Sequence, residues 1–285
     1  MLAWYYLAIL SGVFSSVTVV VEKHLLNKEH ATSFTAVTNI ATMFFTFVFL
    51  PLTNFNISLE QYAIIFAASF TFAASSLLVA RLYRHGDVST VSPITGTLPI
   101  IFIAILTLAF LNETLKNIQY VGIAVLVVAM YVMLRGTRKS ISPEFLKKNA
   151  QYLVSATLLF AIGATLLKFS LSTVSAFTFL VISQIFISIM MLIFVFARFK
   201  TLKYLVRDIR SYKAEVIIFS LATTIYVAIY YYAVSLAPVS LVYPLRAGAS
   251  ILISVLVSGV LFKEKITKKI PIAIIMIIAM YAILA

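Results

Sequence analysis

The stretch VSLVYPLRAGASILISVLVSGVLFKE, residues 239–264, is apolar over the length of a membrane crossing, yet it carries Arg246 two positions after Pro244. A helix needs about 20 apolar residues to cross a bilayer. An ionised guanidinium at the centre of a membrane costs about 3 kcal/mol on insertion scales. At 1.5 Å per residue, Arg246 would lie roughly 10 Å along this helix, so its position requires a specific explanation.

The whole chain has the composition of a membrane protein. It is 62% hydrophobic and 11% charged over 285 residues, whereas soluble domains are about 45–50% apolar and about 25% charged. The absence of cysteine excludes disulfides, thiolate metal sites and thiol nucleophiles. The N-terminal stretch has no basic region before its apolar run and no clear small-x-small cleavage site, so we expect a retained first span.

Apolar runs predict an all-α integral membrane protein with ten transmembrane helices. Their short connections make sequential helices antiparallel neighbours. The connection 198–213 places Leu202, Leu205, Val206 and Ile209 on one helical face among six basic residues, which predicts a short helix against anionic headgroups. A solvated basic loop is the alternative. The spans are expected near 2–21, 33–52, 61–82, 90–111, 117–134, 150–171, 176–197, 214–234, 240–262 and 267–284.

The opening stretch has a counterpart earlier in the chain. VSTVSPITGTLPIIFIAILTLAFLNE, residues 88–113, aligns with residues 239–264 without a gap and shares six identities. A proline and a terminal glutamate match in both copies, twenty residues apart. Upstream, Lys23 near the end of span 1 corresponds roughly to Lys168 near the end of span 6.

This repetition predicts two five-span halves that enter the membrane in opposite senses, because five is odd. Inverted repeats are typical of secondary transporters, whose substrate site lies at the repeat interface near the bilayer midplane. The predicted organisation is a first repeat over 1–134, a basic connecting loop over 135–149 and a second repeat over 150–285. In the loop, Ser142, Pro143 and Glu144 form the pattern of an N-cap, a proline at the first helical position and an acid in the first turn.

The two halves resemble EamA-like domains of the drug/metabolite transporter superfamily over essentially the whole chain. The stretches that carry the resemblance are SPITGTLPIIFIAILTLAFLNETLKNIQYVG and YYYAVSLAPVSLVYPLRAGASILISVLVSGVLFKEKIT. The resemblance implies a ten-helix carrier in which spans 1, 3, 4, 6, 8 and 9 line a central cavity while spans 5 and 10 pack outside. Members of this family transport amino acids, nucleotide sugars, sugar phosphates, cations or drugs. The sequence departs from the usual pattern at Ser11-Gly12, commonly Trp-Gly, and at Ala273, where span 5 has Gly122.

The basic residues are distributed unevenly among the connections. Of the 22 Lys and Arg, 19 fall after spans 1, 3, 5, 7 and 9, and only Lys116 falls in the other connections and the termini. The positive-inside rule therefore predicts cytoplasmic basic loops and external termini, although ten-span relatives generally have both termini inside. The net charge of +13 is assigned to contact with anionic lipid rather than with nucleic acid.

Arg246 and Lys168 are the two cations assigned to no connection, and both approach the charge-poor, predicted external half of the membrane. We interpret Arg246 as a cavity cation for a carboxylate or phosphate, because its planar fork can bind either bidentately. Hydrogen bonding to hydroxyls or to carbonyls freed by Pro244 is the alternative. Lys168 is a second candidate, and its alternative is to reach the interface along its own stem.

Tyr226 and Tyr230 are four residues apart and share a helix face near Arg246, whereas Tyr231 and Tyr232 are turned elsewhere. Tyrosines near span ends are also common interfacial anchors, and small residues also serve close helix packing. The predicted substrate-binding residues are Arg246, Lys168, Tyr226, Tyr230, Tyr243, Thr95 and Ser92, and the predicted hinges are Pro93, Pro244, Gly96 and Gly248. Further interior hydroxyls are expected from Ser15, Ser16, Ser75 and Ser76.

No carboxylate is clearly placed in the middle of a span. All nine Asp and Glu fall at or beyond predicted span ends, Glu22 being the nearest to an interior position. We expect Glu113 and Glu264 to stabilise short reversals in each half. Proton- or sodium-coupled carriers often have a buried acid, so coupling by exchange, by the membrane potential or by neither stays open.

Enzyme functions are disfavoured by the residue patterns. His24, His30 and His85 lack metal-binding spacing, and the chain has no HExxH, phosphate-cradling glycine loop or GxSxG. We expect no catalytic residue, metal or cofactor. A channel would require a pore filter or charged ring, and none is visible. A membrane scaffold is the third alternative.

These observations predict a secondary transporter that works by alternating access. Its expected substrate is a small metabolite with a negative or zwitterionic group, such as an amino acid, an organic acid or a phosphorylated compound. An efflux carrier for drugs or for cationic, lipophilic compounds is the alternative. The expected partners are this substrate and the lipid bilayer, without nucleic acid, and the expected state is a monomer or homodimer in the inner membrane.

Overall fold

The computed structural model describes residues 4–25, 31–85, 88–135, 143–201, 203–262 and 270–285. These residues form α-helices joined by short turns, without a strand among them. The helices are α1 (Trp4–Leu25), α2 (Ala31–Thr46), α3 (Leu59–His85), α4 (Val88–Leu111), α5 (Asn117–Arg135), α6 (Pro143–Ser170), α7 (Ala176–Phe199), α8 (Lys203–Ser211), α9 (Lys213–Leu236), α10 (Val239–Phe262) and α11 (Ile270–Leu284), with a 3-10 helix over Phe47–Leu52.

Each predicted apolar segment overlaps one of the long helices, and two boundaries differ by more than four residues for physical reasons. The predicted span 33–52 is α-helical only to Thr46 and continues as the 3-10 helix. Pro51 has no N–H for the carbonyl four residues earlier, and its ring clashes with that carbonyl. α6 begins at Pro143, inside the predicted connecting loop, because proline is favourable at the first helical position. Ser142, its predicted N-cap, lies outside the described residues.

Among the described residues, seven helices are long and apolar enough to cross a membrane, and three further apolar helices are shorter. Their outward faces carry large apolar side chains, such as Phe110, which is 73% exposed, and Tyr281, which is 75% exposed. Leaving such surface in water costs about 25 cal/mol per Å², whereas lipid solvates it. The chain is therefore a multi-pass membrane protein.

The predicted amphipathic helix in the connection 198–213 is confirmed as α8. Leu205 is buried, whereas Lys203, Arg207 and Arg210 are exposed. Of the rest of the predicted apolar face, Ile209 is 47% exposed, and Leu202 and the side chain of Val206 lie outside those described. The structure thus confirms a helix of nine residues in this connection and buries one residue of that face. The position of α8 among lipid headgroups stays a prediction.

Hydroxyl groups inside the apolar helices are mostly satisfied by helix carbonyls. Thr165 donates to the carbonyl of Ala161 at 2.9 Å on its own helix, as Ser and Thr commonly do inside membranes. Others join helices: Ser220 of α9 donates to the carbonyl of Thr38 on α2 at 3.1 Å. Ser188 of α7 donates to the carbonyl of Asn39 at 3.2 Å. These hydrogen bonds hold α2, α7 and α9 together. They matter because the hydrophobic effect does not drive helices together inside a bilayer.

The helix packing follows a regular scheme. α1 packs mainly on α9 and α10, while α6 packs mainly on α3 and α4. α5 packs on α11, and α2 packs on α7. α4 and α10 also touch each other. Consequently α1, α3, α4, α6, α9 and α10 form a connected group, and α5 and α11 lie together beside it.

Candidate functional site

Arg246 lies among three tyrosine rings contributed by α9 and α10. The Cζ atom of Arg246 is 5.5 Å from the ring centroid of Tyr226, 5.0 Å from that of Tyr230 and 4.9 Å from that of Tyr243. A guanidinium within about 6 Å of an aromatic centroid is attracted by the π face. Tyr226 and Tyr230 meet it from one face of α9, as their spacing of four residues predicts. We name Arg246, Tyr226, Tyr230 and Tyr243 the arginine–tyrosine cluster.

The neighbouring tyrosines of α9 point elsewhere, again as predicted. Tyr231 packs edge-on against Phe179 of α7, with ring centroids 5.4 Å apart. Tyr232 is 43% exposed and stacks on Phe177 at 6.2 Å. α9 therefore presents tyrosines to three different surroundings, and only Tyr226 and Tyr230 belong to the arginine–tyrosine cluster.

Two phenylalanines extend the cluster to α6 and α3. Phe160 of α6 lies 5.3 Å from the ring of Tyr243, and Phe72 of α3 lies 5.5 Å from the ring of Phe160. The sequence does not identify either residue, because a phenylalanine in an apolar helix has no feature that separates packing from ligand contact. The aromatic surface therefore joins α3, α6, α9 and α10.

Two polar atoms of the cluster are buried without a hydrogen-bond partner: Nε of Arg246 and the hydroxyl of Tyr230. Tyr230 is only 4% exposed, whereas part of the Arg246 side chain remains accessible. The three ring faces attract the Arg246 charge. Tyr243 is also a hydrogen-bond partner of Arg246, and no carboxylate in the described part of the chain pairs with it. Unpartnered buried donors cost about 1–3 kcal/mol each, so the cluster is polar, cationic and unsatisfied.

The backbone of Arg246 is held against α1 by a close helix contact. A Cβ atom added at Gly12 would lie 2.6 Å from the carbonyl oxygen of Arg246 and 2.7 Å from the Cβ of Ala249. Ser15 donates to the hydroxyl of Ser250 at 2.8 Å one turn away. Glycine lets helix backbones approach this closely. The Ser11-Gly12 pair, the departure from the family pattern, therefore forms part of the α1–α10 contact.

The candidate hydroxyls of α1 and α3 also serve helix contacts. Ser11 donates to the carbonyl of Tyr226 at 2.9 Å, and Ser75 donates to the carbonyl of Ala156 on α6 at 2.8 Å. Ser16 and Ser76 donate to carbonyls of their own helices. These bonds fix the helices that surround the cluster.

Lys168, in the last turn of α6, reaches the C-terminal end of α9 with its ammonium group. Its ammonium donates to the carbonyls of Val234 at 2.8 Å and Ala237 at 2.9 Å. A cation at a helix C-terminus is favourable because the last carbonyls lack intrahelical partners. The structure thus gives Lys168 a capping role that differs from both sequence interpretations, and a contact with substrate stays a prediction.

Glu113, in the turn between α4 and α5, caps the N-terminus of α10. Its carboxylate accepts hydrogen bonds from the backbone N–H of Val239 at 3.3 Å and of Ser240 at 3.4 Å. It also accepts a bond from the Ser240 hydroxyl at 2.7 Å. Glu113 and Lys168 attract each other electrostatically and bracket the α9–α10 turn. We name these two residues the turn clasp.

Glu113 stabilises a chain reversal, but not the one in its own half of the chain that the sequence predicts. The reversal belongs to the other half of the chain. Its sequence counterpart Glu264 lies outside the described residues. The sequence could not show this, since a carboxylate beyond a helix end has no pattern that identifies a distant partner.

The remaining candidates of α4 and α10 have different surroundings. Thr95 donates to the carbonyl of Val91 on its own helix at 3.0 Å. A Cβ at Gly248 would lie 3.1 Å from Met280 Sδ, whereas a Cβ at Gly96 would meet only Ile251 Cδ1 at 4.0 Å. Close packing therefore explains Gly248 and leaves Gly96 unexplained. Pro244 is buried within α10, and the side chains of Ser92 and Pro93 lie outside those described.

Comparisons with known proteins agree with this architecture. Residues 2–135 match the model of the EamA-like transporter family. A solved crystal structure superposes with a TM-score of 0.77, covering 98% of this chain and 94% of its own, at 10% sequence identity. An identity this low shows the fold alone. None of the curated proteins matches the sequence significantly.

Proposed function

This chain belongs to the EamA-like transporter family of the drug/metabolite transporter superfamily, and from that premise we propose that it is a secondary carrier for a small anionic or zwitterionic metabolite. The observation that carries the proposal is the arginine–tyrosine cluster. A charge this far inside an apolar helix is unfavourable without an anionic partner. No carboxylate in the described part of the chain pairs with Arg246. An anionic group of a substrate would supply that partner.

We propose that the carrier has ten crossings in two inverted repeats and works by alternating access. The sequence repeat supports this organisation, and so does the helix packing. Exchanging α1 with α6, α2 with α7, α3 with α9, α4 with α10 and α5 with α11 converts the main contacts into one another. The pairs α5–α11, α2–α7 and α4–α10 exchange with themselves. A site between such halves can be exposed to either side by rocking one half against the other.

The test of the proposal is ligand-dependent thermal stabilisation of the purified protein. The panel contains amino acids, organic acids, sugar phosphates, nucleotide sugars and lipophilic cations. We expect an anionic or zwitterionic compound to raise the unfolding temperature of the wild type saturably, since a ligand that binds only the folded state stabilises it. The same compound should not change the unfolding temperature of the Arg246→Ala variant.

Arg246→Lys is the matched variant, because it keeps the charge if alanine at this position prevents folding. It should retain a weakened response to the same compound. A lipophilic cation that stabilises wild type and both variants equally would contradict the proposal and favour the efflux carrier of cationic compounds instead.

We further propose an inner-membrane location with the basic loops and α8 in the cytoplasm, on the basis of the Lys and Arg distribution. The chain has no native cysteine, so single-cysteine labelling is direct. Ser172 and Ser211 are exposed, and α7, about 36 Å long at 1.5 Å per residue, separates them. We expect an impermeant maleimide added to intact cells to label Ser172→Cys and not Ser211→Cys. The reverse pattern would place both termini inside.

A further inference from the structure

We propose that the arginine–tyrosine cluster selects a monocarboxylate with an apolar body, bound through Arg246 Nε and the Tyr230 hydroxyl. This inference rests on the proposed function and narrows it to one substrate class. Its starting point is the pair of buried atoms, Nε of Arg246 and the hydroxyl of Tyr230, that have no hydrogen-bond partner. Both side chains are in direct contact, with Arg246 Cζ 5.0 Å from the Tyr230 ring centroid.

Both unpartnered groups require a hydrogen-bond acceptor. A guanidinium only donates, and a phenol that donates needs an acceptor. Two such donors on side chains that contact each other in a buried site can be satisfied together by a group with two acceptor oxygens. A carboxylate provides them on one planar group, and it can bind the Nε edge of arginine bidentately. A protonated amine has no acceptor, and an alcohol offers one neutral oxygen without a charge that pairs with the guanidinium.

The charge of the site favours a ligand with one negative charge. Lys168 is bonded to the carbonyls at the end of α9, so Arg246 is the one cation that faces the cluster among the described side chains. A single positive charge matches a monoanion. A phosphate ester carries a charge of about −1.5 to −2 at neutral pH, and burying the unmatched negative charge is unfavourable. The site therefore favours carboxylates over phosphate esters.

Aromatic rings lie beyond the arginine and the tyrosines of the cluster. Beyond the tyrosines, the cluster continues into the rings of Phe160 and Phe72. Glu113 is the acid whose charge acts on Tyr230, and its carboxylate is bonded to the start of α10. An ammonium group on the ligand thus finds no free carboxylate here. The site favours a plain monocarboxylate over the corresponding amino acid.

The experiment compares ligands that share one six-carbon body and differ only in their charged group. Radiolabelled hexanoate is bound to the protein in lipid nanodiscs, with empty nanodiscs as the blank for partitioning. Unlabelled hexanoate, norleucine, hexyl phosphate, hexylamine and hexanol compete. We expect hexanoate to compete best, norleucine and hexyl phosphate to compete at least about 10-fold less well, and hexylamine and hexanol not to compete.

Two substitutions test the donors. Tyr230→Phe removes one hydroxyl and should weaken hexanoate binding about 10-fold, as expected for a hydrogen bond to a charged group. Arg246→Lys keeps the charge but removes Nε and the planar fork, and should weaken it at least about 30-fold. Tyr231→Phe is the matched control on the same helix, since Tyr231 packs on Phe179, and should bind as the wild type does.

Unliganded Tyr230→Phe should also unfold at a temperature equal to or above that of the wild type, because it removes an unsatisfied buried group. A clearly lower unfolding temperature would mean that the hydroxyl already has a partner, and would overturn the inference. Tighter competition by hexyl phosphate or norleucine, lost in Arg246→Lys, would also overturn it while leaving the proposed carrier function standing. Absence of Arg246-dependent binding by every anion would overturn both.

Discussion

Replacing Gly12 with alanine should lower the unfolding temperature by roughly 4–8 °C, and replacing it with leucine should prevent recovery of folded protein. The added Cβ would lie 2.6 Å from the carbonyl oxygen of Arg246 and 3.1 Å from the amide nitrogen of Ser250. These are backbone atoms, so α1 and α10 must move apart. Overpacking of this kind costs about 1–3 kcal/mol, and a cost of about 2 kcal/mol converts to the stated shift for a chain of this order of size.

Gly96→Ala is the matched control, a glycine-to-alanine change in another apolar helix. Its Cβ would meet only Ile251 Cδ1, at 4.0 Å. Alanine has a higher helix propensity than glycine by about 1 kcal/mol, so this variant should be as stable as the wild type or more stable. If Gly96 is a hinge, as its sequence predicts, the same variant should transport more slowly at unchanged stability. Equal loss of stability in Gly12→Ala and Gly96→Ala would contradict the packing argument.

Removal of the Glu113 carboxylate should destabilise the protein by about 2 kcal/mol and weaken ligand binding at a distance. Glu113→Ala removes the acceptor for two backbone N–H groups and the hydroxyl of Ser240. Loss of a helix cap costs about 0.5–2 kcal/mol, and hydrogen bonds to a charged group are worth about 1.5–3 kcal/mol. Tyr243 and Arg246 lie one and two turns beyond this cap, so the arginine–tyrosine cluster should lose its position. Thermal unfolding and ligand titration of the same samples measure both effects.

A control variant and a double-mutant cycle distinguish the specific contacts of Glu113 from a general effect of removing a negative charge. Glu60→Ala removes an exposed acid from the first turn of α3 and should change stability by less than about 0.5 kcal/mol. Glu113→Ala combined with Ser240→Ala should show a coupling of at least about 1 kcal/mol, because the two side chains share one bond. Additive effects of the two substitutions on stability would show that the Glu113 carboxylate does not act through its hydrogen bond with Ser240.

Much of the candidate site is predictable from the sequence because a charge in an apolar helix is conspicuous. Arg246 stands out for this reason, and the spacing of Tyr226 and Tyr230 places both rings on its side of α9. Their contacts at 5.5 Å and 5.0 Å agree with that prediction. Phe160 could not be found in this way, because its contact with Tyr243 joins two helices about 80 residues apart in the sequence and leaves no local pattern.

The positions of the two remaining charges depended on contacts between distant elements. Lys168 and Glu113 are recognisable in the sequence as charges near helix ends. Which helix end each one caps depends on how α4, α6, α9 and α10 meet. The free energy of these bonds comes from unpaired groups of another helix, and no local spacing records them.

The sequence by itself determined the membrane class, the helical segments, the similarity of residues 88–113 to residues 239–264 and the isolation of Arg246. These properties follow from local chemistry, because hydropathy and segment length are read along the chain. Only the tertiary structure decided that Gly12 brings α1 against the backbone of Arg246, that the turn clasp holds the α9–α10 turn, and that Nε of Arg246 and the Tyr230 hydroxyl are left unsatisfied. Those properties belong to contacts between helices, since whether a buried polar group has a partner depends on which atoms the fold places within hydrogen-bonding distance.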